Sequence, residues 1–178
     1  MQRIQITESM LDFAAKKTKA AEVERWKNKD KSVTSFRGRR AGFLGEAAFC
    51  ETFNAESKNT FNMDAILKGK LVEIKTKRNI KAPNVSYWEG TVPGYSEQNP
   101  DYFAFLNIKF AEQTGRGKMA QYYRPLEIYF GGVMSYEDYL EKRFFVEKGE
   151  TYSTNPDAAH TSQWNVYWRD LKDLSDIA

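Results

Sequence analysis

The chain has 178 residues, 41% of them hydrophobic and 15% aromatic, which is enough apolar material for one folded domain and argues against a disordered chain. No stretch reaches the apolar length that spans a bilayer and no leader pattern opens the chain, so neither a membrane partner nor export is expected. The net charge of +3 is uneven: residues 1–40 hold 11 Lys or Arg against 5 Asp or Glu, and the rest hold 16 against 19. A basic N-terminal part on an acidic remainder favours a phosphate-backbone ligand, although any single lysine there reads as well as a solvated helix face.

Residues 7 to about 28 read as an amphipathic helix opened by Thr7 or Ser9, with Met10, Leu11, Phe13, Ala14, Ala21 and Trp26 as packing positions. This basic segment, residues 1–35, is expected to pack as a helical layer on a core formed by residues 36–178. A polar break from Lys27 to Ser35 leads to Arg37-Gly38-Arg39-Arg40, whose guanidinium groups could grip phosphates or be solvated flanking residues. A second helix is predicted over Arg40 to Phe53. At 3.6 residues per turn Gly42, Glu46, Phe49 and Phe53 share a stripe, with Glu51 on the opposite side. A carboxylate in an apolar stripe is costly without a partner or a metal. Glu46 is therefore either paired locally or part of a site. Cys50, the single cysteine, lies on the same helix; it excludes an internal disulfide, points to a reducing compartment and reads as a small core residue.

The run Asn62-Met63-Asp64-Ala65-Ile66-Leu67-Lys68-Gly69-Lys70-Leu71-Val72-Glu73-Ile74-Lys75-Thr76-Lys77 is the most informative part of the chain. Two apolar segments joined by Lys-Gly-Lys predict a β-hairpin from about residue 61 to 77. Alternation along a strand sends Glu73 and Lys75 to one face and Val72, Ile74 and Thr76 to the other. Pairing brings Asp64 near Glu73. Two carboxylates converging at a strand end suit a hard cation such as Mg²⁺, and a lysine beside them can hold a water or a phosphate oxygen. Such a set is equipped to cut phosphodiesters.

Residues 78–100 form the least regular stretch, with three prolines, two glycines, Tyr87, Trp88 and Tyr95. They predict a long loop, either a flap whose aromatics stack on bases or a loop whose aromatics pack beneath it. Pro100 to Ile108 reads as a strand buried on both faces. Gln113 to Lys118 reads as a basic hairpin tip suited to a backbone contact, since no Gly-Lys-Ser/Thr and no helix follow. Arg124 to Met134 is a further strand, and Ser135 caps a short helix, Tyr136 to Lys142, with Glu137 and Asp138 in its first turn. Gly149 to Gln163 is turn-like and carries His160, the single histidine, as a surface or turn residue.

The hairpin motif, with the helix before it and the strands after it, resembles the PD-(D/E)XK nuclease superfamily. Asp64 and Glu73-Ile74-Lys75 stand at its motif positions, with Met63 where the family usually has proline. The runs Gly132 to Asp138, Phe144 to Gly149 and Val166 to Leu171 are similar to the tail of small phage-type and bacterial members, so the resemblance spans roughly residues 36 to 172. It implies an α/β, restriction-endonuclease-like fold, a central mixed β-sheet flanked by helices. It also implies a metal-dependent deoxyribonuclease using Mg²⁺, with Mn²⁺ as substitute. Asp64 and Glu73 would ligate one or two ions, with the backbone carbonyl of Ile74, and Glu46 matches the glutamate that members often carry on the preceding helix. Lys75 would orient or help deprotonate the attacking water.

DNA is the implied partner, held by Arg37, Arg39, Arg40, Lys77, Arg78, Arg116 and Lys118, in the cytoplasm of a bacterial or phage-infected cell; a homodimer stays open. The competing readings are a non-catalytic nucleic-acid-binding module on the same fold, an exonuclease or junction-resolving member, and a structural partner protein with a chance motif. One histidine and one cysteine leave no basis for histidine-base or zinc chemistry.

Overall fold

The structure, a computed structural model, describes residues 1–28, 36–58, 63–111, 124–151, 159 and 161–177, the side chains of 25–28, 36 and 37 excepted. The basic hairpin tip with Arg116 and Lys118, the Trp26 and Arg37 side chains, and His160 lie outside the described residues.

A six-stranded mixed sheet forms the centre. Its strands are β1 (Gln2–Ile4), β2 (Glu56–Ser57), β3 (Ala65–Leu67), β4 (Lys70–Asn79), β6 (Tyr102–Phe110) and β7 (Pro125–Ser135), in the order β1-β7-β6-β4-β3-β2. β4 and β6 are parallel, and the other neighbours are antiparallel. The predicted hairpin is β3–β4. Lys68 and Gly69 both take positive φ, 51° and 78°, as a two-residue hairpin turn whose twist matches its strands requires.

Two helices, α1 (Glu8–Asn28) and α2 (Phe36–Phe53), cover one face of this sheet. Thr7, not Ser9, caps α1: its Oγ1 accepts from the Met10 amide at 3.2 Å. Met10, Ala14 and Thr18 recur every four residues and are buried, the stripe of a helix seated on a core. Ala41, Leu44, Ala48 and Phe49 of α2 meet Val72, Ile74, Leu106, Ile108 and Ile128 from the sheet. Small residues let α2 lie close, and a Cβ on Gly45 would overlap Thr76 Oγ1.

The opposite face is covered by α3 (Tyr136–Lys142) and a second, three-stranded sheet. That sheet joins β5 (Glu89–Pro93), β8 (Phe144–Val146) and β9 (Gln163–Tyr167) in the order β5-β9-β8. Val92 and Val166 pack there on Phe103, Phe105, Met134 and Tyr139. Ser135 caps α3 as predicted, accepting from the Asp138 amide at 3.1 Å.

Two sequence expectations differ from this picture. The stretch 78–100 is not a loop throughout, because residues 89–93 pair with residues 163–167. The N-terminal residues do more than lie on the core, because β1 extends the central sheet beside β7. No helix of the described residues is long and apolar enough to cross a membrane.

Candidate active site

The site lies where the short strand β3 stops and β4 runs on. Among the described residues β3 accompanies β4 only as far as the Ala65–Val72 pair, which leaves the next backbone donor of β4 without a strand partner. Asp64 fills that place: the Ile74 amide donates to its Oδ2 at 2.8 Å. The acid ahead of the hairpin and the Glu-x-Lys strand are thus joined by one hydrogen bond.

Glu73 and Lys75 leave β4 on the face away from α2, beside Phe103 and Phe105 of β6, while Val72 and Ile74 belong to the helix-side core. Alternation therefore holds as expected. Lys75 Nζ donates to Glu73 Oε1 at 2.6 Å and to Gln98 Oε1 at 2.9 Å. The Ser96 hydroxyl donates to the same Gln98 oxygen at 2.9 Å, so the lysine is anchored from both sides. Glu73 is 4% exposed, and its Oε2 is buried without a hydrogen-bond partner.

Glu46 reaches the same cluster from α2. Burial, then the Asp64 charge, pushes its carboxyl up to about 8, with Lys17 and Lys75 pulling the other way. Burial, then Glu73, raises Asp64 to about 7, against the Ile74 amide, Lys75 and Lys17. Like charges crowded away from water behave so. Cys50, one turn beyond Glu46, is raised to about 12 by burial and by Glu46 and Asp64, which makes it an inert thiol rather than a nucleophile. Glu51, on the opposite side of α2 as expected, accepts from Thr7 Oγ1 at 3.0 Å and Ser9 Oγ at 2.5 Å.

The oxygen-only donor set suits a hard cation, and the orphaned Glu73 oxygen, together with two carboxyls raised by burial and by neighbouring carboxylates, describes a place that gains from positive charge. Yet no three His, Cys, Asp or Glu side chains of the described residues stand close enough to enclose an ion by themselves. The fit is to an ion bound by one or two carboxylates, a backbone carbonyl such as that of Ile74, water and a phosphate, the manner usual for Mg²⁺.

The expected DNA contacts divide. Arg39 lies against Glu22 at 2.8 Å and is largely buried, so it joins α2 to α1. Arg40 is half-buried and Arg78 exposed. Lys77 shares the Lys75 face and faces Glu89 of β5 at 3.9 Å; burial lowers it to about 8 while Glu89 draws it back up. Arg37 begins α2, and its side chain, with Arg116 and Lys118, lies outside the described residues.

Sequence reasoning missed Gln98 and Glu89, and counted Lys17 only as one lysine of the basic N-terminal part. Gln98 stands in a stretch without periodicity, and only the fold brings it to Lys75. Set against known proteins, the chain matches no protein-family model and no curated protein sequence.

Proposed function

We propose that the chain is a metal-dependent deoxyribonuclease of the PD-(D/E)XK type, on a restriction-endonuclease-like fold, and cuts DNA internally. The observation that carries this reading is the hydrogen bond from the Ile74 amide to Asp64, which holds an acid against a Glu-x-Lys strand whose Glu73 and Lys75 are themselves in contact. A third carboxylate, Glu46, is electrostatically tied to both acids from the flanking helix. Support also comes from the mixed sheet between helices.

Asp64, Glu73 and the Ile74 carbonyl would hold Mg²⁺, with Glu46 acting directly or through water. Bound there, the ion supplies a water of lowered pKa and neutralises phosphate charge. Lys75, fixed between Glu73 and Gln98, would offer its remaining donor to the attacking water or a phosphate oxygen and stabilise the negative charge that grows on the phosphorus oxygens.

The second reading is a nucleic-acid-binding module without catalysis on the same fold. Digestion of linear, circular, single-stranded and branched DNA with Mg²⁺, Mn²⁺ or chelator separates the two. Metal-dependent cutting of the circular form supports the endonuclease. Binding without cutting under every condition supports the module.

A further inference from the structure

We propose that Lys17, on the N-terminal helix, is a phosphate-binding residue of the candidate site, so that α1 forms one wall of the substrate groove. This rests on the nuclease reading and deepens it.

Two contacts fix how α1 lies against α2. Glu22 meets Arg39 at 2.8 Å near one end, and Ser9 meets Glu51 at 2.5 Å near the other. The helices are therefore antiparallel, and at 1.5 Å of rise per residue the turn around Phe13 lies beside the turn of α2 that begins at Glu46. Side chains on a helix lean back towards its N-terminus. Lys17 does so, and its ammonium sits 5.2 Å from the centre of the Phe13 ring. That reach carries the charge one turn down α1, to the level of Glu46.

Two ammonium groups thus belong to this region, Lys75 on the sheet and Lys17 on the helix layer. Their chemical situations differ. Lys75 is spoken for by Glu73 and Gln98, whereas Lys17 makes no ion pair among the described residues and rests on an aromatic face. A half-buried lysine at the level of Glu46, without an ion pair among the described residues, is available to an incoming anion. The anion that reaches a site of this kind is a backbone phosphate. The ammonium is already held over the Phe13 ring, so little side-chain freedom is lost on binding.

The test uses the full chain with a short DNA duplex. Affinity is measured against salt in Ca²⁺ and cleavage in Mg²⁺, for wild type, Lys17→Met, Lys17→Gln, Lys17→Arg and Lys142→Met. Methionine keeps the stem, glutamine is the second neutral variant should methionine not fold, and melting curves identify folded samples. Loss of one phosphate contact lowers the log–log salt slope by about 1. Both neutral variants should show that loss and a several-fold rise in KM, and Lys17→Arg should restore both. Lys142→Met, on α3 across the sheet, should change neither. Wild-type slope and KM in the neutral variants overturn the proposal while leaving the nuclease reading in place, as does an equal loss in Lys142→Met. Wild type that neither binds nor cuts DNA overturns both.

Discussion

Asp64 takes the amide hydrogen of Ile74 at 2.8 Å, so one carboxylate both closes the edge of β4 and stands in the candidate metal site. The two roles respond differently to substitution. Asp64→Asn keeps an oxygen acceptor but removes the charge that crowds Glu46 and Glu73, so it should leave stability at or above wild type and abolish cleavage. Asp64→Ala strands the Ile74 amide and should cost about 1–3 kcal/mol. Urea unfolding of the two variants checks this, and equal stability of both would remove the structural role.

Glu46 carries a pH signature. Its carboxyl is raised from the ordinary 4.5 to about 8, so the folded metal-free chain keeps a proton that the unfolded chain releases. The resulting stabilisation is complete below about pH 4.5 and is lost as pH rises through 8; Asp64, raised to about 7, acts with the same sign. Melting in chelator should therefore show wild type losing stability relative to Glu46→Gln between pH 5 and pH 8. Parallel curves would contradict the buried, crowded placement of Glu46.

Divalent ions should reverse that loss, because the ligands must be ionised to bind them. Saturation at about 100 times Kd adds roughly 2.7 kcal/mol, or roughly 5–10 °C of melting temperature for a chain of this length. The gain should be larger at pH 8 than at pH 5.5. No shift with Mg²⁺ or Mn²⁺, with DNA absent and present, would argue for the binding module.

Lys75 and Gln98 separate chemistry from anchoring. Lys75→Ala should leave the fold intact, because the side chain leaves β4 on the face opposite Val72 and Ile74, and should lower kcat by roughly 10²–10⁴. Gln98→Ala keeps the ammonium and its contact with Glu73 but removes one anchor, so its loss should be smaller and fall on kcat rather than on DNA affinity. Single-turnover cleavage and binding in Ca²⁺ distinguish the outcomes. A Gln98 variant as inactive as Lys75→Ala would place Gln98 in the chemistry itself.

Gly45 measures how closely α2 must approach the sheet. A Cβ there overlaps Thr76 Oγ1, a buried hydroxyl without a hydrogen-bond partner. Gly45→Ala should destabilise by about 1–3 kcal/mol, and adding Thr76→Ala should return part of it. Additive effects in that double-mutant cycle would show that the two positions do not meet.

Much of the candidate site was legible in the amino-acid order. The hairpin could be read because alternation along β4 and a turn at Lys-Gly-Lys are local signals, acting over a few residues, and together they fix register. The same holds for the Ser135 cap and for the apolar stripe of α2. Asp64, Glu73 and Lys75 fall near one another as a direct result of that register.

What local order left open depends on segments far apart in the chain. Residues 89–93 become a strand only beside residues 163–167, and without that partner their prolines and glycines read as loop. Gln98 gains its role from the path the chain takes between β5 and β6, and Lys77 meets Glu89 only because β5 lies against β4. Lys17 comes to the level of Glu46 because α1 and α2 pack antiparallel on one face of the sheet. Periodicity assigns each residue a face of its own element, but which faces meet is set by burying apolar surface across the whole fold, and that is where charges distant in sequence become a site.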